Sequence, residues 1–200
     1  MANLNEHEHE HEPQPNKPLV IGIDPGKTTG VCVLQVNGFY KPAPRGGVER
    51  FSKRGGRWDV TVASFTELEF DDRFHLKDII EKLSTLPFTD RAVVMESFNL
   101  YPGAAQAQGR IMSDFPSIQV IGMVQYVCNE LGYAPPIMQP PSARKTVQVL
   151  QSDRRLISGW KHAVDAYKHA RYYIVTRGHE RGWALEPTGN ENTTTTPTEP

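Results

Sequence analysis

The chain has 200 residues, 38% of them hydrophobic and 22% charged, with a formal net charge of −1, which suits one sizeable core and leaves two domains cramped. No apolar run is long enough to span a bilayer and the N-terminus is polar and acidic rather than signal-like, so no membrane association is expected and the cytoplasm is the expected location. The charge is uneven: all 22 Lys and Arg fall between Lys17 and Arg181 while seven of the 23 acids fall outside, so the body carries +6, a balance that fits an anionic partner such as nucleic acid.

Residues 1–18 alternate His with Glu and lack periodicity, and 184–200 are polar and rich in Thr and Pro. Neither buries enough apolar surface to offset its ordering entropy, and both are expected to be disordered tails around a folded region at 19–183. The His-Glu repeat has no fixed geometry and is given no role. Apolar runs at 19–23 and 30–36, and the alternating "WDVTVASFTEL" from Trp58, predict three strands in an antiparallel meander. Between the second and third lies "NGFYKPAPRGGVERFSKRGGR", residues 37–57, expected as a basic loop. Its Lys41, Arg45, Arg50, Lys53, Arg54 and Arg57, interleaved with Phe39, Tyr40 and Phe51, read equally as a solvated surface and as a surface for DNA, where aromatics stack on bases.

"DDRFHLKDIIEKLSTL" sets Phe74, Ile79, Ile80 and Leu83 near helical spacing, with Asp71 or Asp72 as a cap. "RAVVMES" predicts a strand ending at Glu96, followed by a loop and a helical region from about 104 to 131 broken near Pro116. "APPIMQ" supplies one more strand, "PPSARKTVQVL" starts a helix after prolines, and "SGWKHAVDAYKHARYYIVTR" reads as a strongly amphipathic final helix. The order βββαβαβα predicts an α/β fold, a mixed sheet with helices on its faces. Val120, Met123, Val124 and Val127 suit either a core or a dimer face. Cys32 and Cys128 form neither a metal spacing nor a disulfide framework and are expected as buried free thiols.

Three acids sit at element ends or faces: Asp24 closing the first strand in "IGIDPGKTTG", Glu96 closing the fourth, and Asp165 in the last helix. Asp-Pro-Gly is also ordinary turn chemistry, and Glu96 alone is also an ordinary loop charge. Side-by-side placement of the first and fourth strands would bring Asp24 and Glu96 together, and a helix across that edge would add Asp165. Such acids raise one another's pKa unless cations neutralise them, and Mg²⁺ or Mn²⁺ suits oxygen donors. His162, three residues before Asp165, shares its helix face, and His169 continues it, as a supporting or phosphate-facing group.

In this order "IGIDPGKTTG", "VVMESF", "MQPPSARKTV" and "HAVDAYKHA" resemble the RuvC-like Holliday junction resolvases of the ribonuclease H-like superfamily, in particular the small phage versions, over about Leu19 to Arg177. The resemblance implies a ribonuclease H-like mixed sheet and an endonuclease holding two Mg²⁺ ions on Asp24, Glu96, Asp165 and His162. It implies phosphodiester hydrolysis that leaves 5′ phosphates, with Lys145 as a catalytic cation near the scissile phosphate and Arg144 beside it. Gly26 and Gly30 would let the turn approach DNA. Lys27, Arg45, Lys53, Arg54, Arg57, Phe98, Tyr101, Arg144 and Lys145 are the expected DNA-binding residues. The implied partners are branched DNA (four-way junctions, flaps or replication forks) and a second copy of the chain in a homodimer, inside a bacterium or phage-infected cell. The long basic insertion and both tails depart from the family pattern, which leaves broader branched-DNA specificity open. Two other readings remain: an actin-like or sugar-kinase-like ATPase, from "DPGKTTG", and a DNA-binding module of the same fold without catalysis.

Overall fold

A computed structural model of the protein describes residues 16–40, 56–84, 90–98 and 115–184. Most of both expected tails, the expected DNA-binding residues Arg45, Lys53, Arg54 and Tyr101, and the helical region expected from 104 to 114 lie outside those residues. Among the described residues, no helix is long and apolar enough to cross a membrane.

Five strands form one mixed sheet in the order β3-β2-β1-β4-β5: β1 Leu19–Asp24, β2 Thr28–Tyr40, β3 Arg57–Glu69, β4 Arg91–Glu96 and β5 Ile137–Gln139. The first three make the expected antiparallel meander, and β4 and β5 add in parallel beyond β1. Helices α1 His75–Ser84 and α2 Pro116–Glu130 lie on one face. On the other lies α5 Lys161–Arg177, reached through two single turns, α3 Ala143–Thr146 and α4 Gln151–Arg154. This is the α/β mixed sheet with helices on its faces that the order of elements predicts.

Both faces are covered, so β1 is buried at every position, which is why it reads as an unbroken apolar run. Its side chains still alternate. Leu19, Ile21 and Ile23 join Leu76, Ile80, Val120 and Val124 under α1 and α2, while Val20 joins Ala166, Tyr167, Ala170 and Ile174 under α5. By the same period of two, Gly22 and Asp24 face α5. In β4, Val93 and Met95 belong to the first cluster and Ala92 and Val94 to the second, which puts Glu96 on the α5 side as well.

Several expectations need correction. Strand β2 runs to Tyr40 instead of ending at 36: Asn37-Gly38, which looks like a hairpin turn, sits at a register shift where Gly38 takes φ of 154°, so a bulge bends the ribbon without ending it. Phe74 is 63% exposed and lies outside α1, whose buried residues are Leu76, Ile80 and Leu83. Asp71 and Asp72 form a short 3-10 turn with Phe70 and do not cap α1. The segment 140–150 yields only one helical turn, after which Val147 returns to extended backbone. Helix α5 is buried at nine positions spread around its circumference rather than along one stripe. Val120, Val124 and Val127 are buried in the core and Met123 packs against it, so the dimer-face alternative for them is withdrawn. Cys32 and Cys128 are buried free thiols; burial pushes Cys32 far above the ordinary thiol range and Cys128 up to about 11.

Candidate active site

The site begins as one row across the sheet. Gly30 pairs with Asp24 on one side and with Glu67 of β3 on the other. Across the parallel seam Ile23 pairs with Met95, so Asp24 and Glu96 are the next step, and Glu96 pairs with Gln139 of β5. Glu67, Gly30, Asp24, Glu96 and Gln139 thus lie side by side at one end of the sheet. The Asp-Pro-Gly turn that follows Asp24 is tied by Thr29, whose hydroxyl donates to the Gly26 carbonyl at 3.3 Å.

Helix α5 can lie on this row because at Gly22 and Gly30 the sheet presents no side chain to it. A Cβ on Gly22 would stand 2.1 Å from the Ala166 carbonyl oxygen, and one on Gly30 would stand 2.0 Å from the His162 carbonyl carbon; either forces the helix away. The helix answers with Ala163, Ala166 and Ala170, all fully buried. Gly30 therefore serves the seating of His162. The seven residues from His162 to His169 rise about 10 Å, close to the roughly 9.6 Å that separates β2 from β4 across β1, so successive turns of α5 address successive strands.

At the helix start, Trp160 supplies no side-chain cap. The carboxylate of Glu67 takes that part from β3: its Oε1 accepts from the backbone N–H of His162 at 2.5 Å and of Ala163 at 3.1 Å, the two donors a cap ordinarily satisfies. His162 then donates Nδ1–H to Asp24 Oδ2 at 2.9 Å. Two turns on, fully buried His169 spans Glu96 Oε2 at 3.0 Å from Nε2 and the Gln139 side-chain amide at 2.9 Å from Nδ1. His169 therefore supports Glu96 from inside, and its phosphate-facing alternative is withdrawn. Between them Asp165 accepts from Lys168 at 2.9 Å.

Arg144, on α3, points into the middle. Its Nη1 lies 3.1 Å from Glu96 Oε2, 3.1 Å from Asp165 Oδ2 and 3.8 Å from Asp24 Oδ1, so the three acids from three elements meet around one guanidinium nitrogen. Lys145 is exposed beside it, and Arg144, not Lys145, is the cation at the centre. The Asp24 carboxyl is held above its ordinary value by burial first, then by Glu96 and Asp165, against the lowering hydrogen bond from His162. Mutual repulsion thus acts in the expected direction but ranks behind desolvation. No three of the described His, Cys, Asp and Glu side chains close on one point as metal ligands; they close on Arg144. Their chemistry nonetheless fits a hard divalent cation: three carboxylates and an imidazole, already gathered about a positive charge.

Beside the acids runs a cleft of about 590 Å³ whose walls carry Arg144, Lys145, Arg154 and Lys168 over an apolar floor of Val147 and Ile157, with Asp165 at its edge. The segment forming it is pinned by Tyr167, whose hydroxyl donates to buried Asp153 at 2.6 Å and accepts from the Leu150 N–H at 3.3 Å. The other expected DNA-binding residues scatter. Lys27 is exposed in the turn after Asp24. Phe98 packs on Phe115 with ring centroids 5.6 Å apart. Arg57 pairs with Tyr40 at the other end of β2, about 30 Å from Gly30, and is not brought to the acids.

Glu67, Gln139 and the central place of Arg144 are not anticipated by the motifs. Glu67 alone left a trace, since it falls two residues after Phe65 and so shares the face turned to α5.

No family model and no curated protein matches this chain. Among solved structures the chain is similar to Thermus thermophilus RuvC in complex with a Holliday junction substrate, at 15% identity and a TM-score of 0.49, over 83% of this chain and 97% of that one.

Proposed function

We propose that this chain is a divalent-metal-dependent endonuclease that cuts branched DNA, four-way junctions first among its substrates, by phosphodiester hydrolysis leaving 5′ phosphates. The single observation that carries the reading is the meeting of Asp24, Glu96 and Asp165, from β1, β4 and α5, around one positive charge at the edge of a basic cleft. The sequence resemblance to RuvC-like resolvases names the same acids.

Asp24, Glu96, Asp165 and His162 would hold two Mg²⁺ or Mn²⁺ ions, which when bound supply a water nucleophile at neutral pH and positive charge for the leaving oxygen. The chain's own groups prepare that chemistry. His162 holds Asp24 through Nδ1–H, His169 holds Glu96, and Lys168 holds Asp165, so each carboxylate keeps its direction without a substrate. Arg144 and Lys145 offer charge to the phosphate under attack. Arg154 and Lys168, with the apolar floor, suit a single strand splayed from a branch point. A homodimer would set two such sites against the two symmetric strands of a junction.

The test is nicking of synthetic junctions, flaps, forks and plain duplex with Mg²⁺ by wild type and Asp24→Asn. Wild type should nick the junction and spare duplex, and Asp24→Asn should bind with salt-sensitive affinity yet cut at least about 10²–10³-fold more slowly. Unchanged cutting by Asp24→Asn, or turnover of ATP in place of nicking, overturns the reading.

A further inference from the structure

Arg144 makes three ion pairs through one nitrogen. A guanidinium ordinarily satisfies a carboxylate with a two-pronged fork; here Nη1 is divided among Glu96 and Asp165 at 3.1 Å and Asp24 at 3.8 Å. One hydrogen bond, to Asp165 Oδ2, and otherwise charge alone hold it there. The side chain keeps 32% exposure, against 10 to 18% for the three acids, and rises from a four-residue turn on the wall of the basic cleft. The same group therefore stands within reach of two kinds of anion: the carboxylates behind it and any phosphate entering the cleft.

We propose that Arg144 is an internal counter-ion that keeps divalent cations off Asp24, Glu96 and Asp165 until a DNA phosphate draws the guanidinium away, so that metal and DNA load together. This rests on the nuclease reading and adds to it an order of events. Arg144 and Lys168 together set two positive charges against three negative ones, so a divalent ion competes well once Arg144 has another partner. A phosphate is that partner, since it accepts both prongs of the fork. Linkage then requires reciprocity: DNA tightens metal binding by the factor that metal tightens DNA binding.

The discriminating measurement is Mn²⁺ affinity of the full chain without DNA, by calorimetry or by the electron paramagnetic resonance of free Mn²⁺. Arg144→Gln should bind Mn²⁺ about 5- to 150-fold more tightly than wild type, the usual span of coupling between sites, with Arg144→Lys between them. An uncleaved junction should tighten Mn²⁺ binding by wild type more than by Arg144→Gln. Should the acids repel enough to unsettle Arg144→Gln, Mn²⁺ should raise its melting temperature more than it raises that of wild type. Equal or weaker Mn²⁺ binding by Arg144→Gln, where wild-type binding is lost on Asp24→Asn, overturns this inference and leaves the nuclease standing. Absence of any Asp24-dependent Mn²⁺ binding in both proteins overturns the two together.

Discussion

The two faces of the sheet are built from the same strands and do different work. Under α1 and α2 the buried contacts are mainly Leu, Ile and Val, with Met95, Ala63 and Cys128 among them. Under α5 the core is interrupted by glycine, and alanines let the backbones approach; the acids of the site and Lys168 come from this layer or from the strands beneath it, while Arg144, Lys145 and Arg154 come from the two short turns before α5. Apolar bulk holds the sheet on both sides, and only the α5 side is also packed for position. Stability and chemistry are thereby separable by substitution.

The largest expected effect lies on the plain face. Leu76→Ala, at a fully buried position, should cost about 2–5 kcal/mol in a urea titration while the folded protein cleaves at the wild-type rate. On the other face Gly30→Ala, whose Cβ meets the His162 backbone, should cost about 1–3 kcal/mol but lower cleavage about 10²-fold, the usual result of a displacement near 1 Å. A wild-type rate in Gly30→Ala would break the distinction between the faces. Glu67→Ala should lose about 0.5–2 kcal/mol as a cap and also slow cleavage, with Glu67→Gln, which keeps an acceptor, partly restoring both.

The smallest effect runs with the opposite sign. Burial lifts the Asp24 carboxyl above 3.8, so the folded protein holds that proton more tightly than the unfolded chain does. Ionisation then costs stability once pH rises past 3.8, and the cost is complete above the raised native value. Asp24→Asn should therefore raise the melting temperature by a few degrees near pH 7 without divalent ions, and the gain should vanish at about pH 3. A gain that persists there assigns the effect to something other than this charge.

Asp24, Glu96 and the His162-Asp165 pair were legible because local rules mark them: an apolar run stops at each of the first two, and helical spacing joins the others. Residues whose role depends on distant partners left weaker marks. Glu67 caps a helix by accepting from a backbone N–H 95 positions later, and no local pattern announces such a contact. Arg144 and Lys145 are adjacent cations on a single helical turn, too short for periodicity to say which one faces inward. Asn37-Gly38 carries the composition of a turn, and only the pairing with β3 shows the strand continuing; the attachment of the basic insertion far from the acids followed from that. The small residues of α5 were visible, but their complement on the sheet, Gly22 and Gly30, acquires meaning only once the helix is seated.

Asp24 and its histidine partner are 138 positions apart, and the helix carrying that histidine is the last among the described residues. A chain still emerging from the ribosome holds the first acid long before it holds the third. Until α5 has been made and has settled on Gly22 and Gly30, the growing polypeptide has no assembled carboxylate cluster, so whatever chemistry that cluster performs is withheld from every shorter, nascent form of the chain.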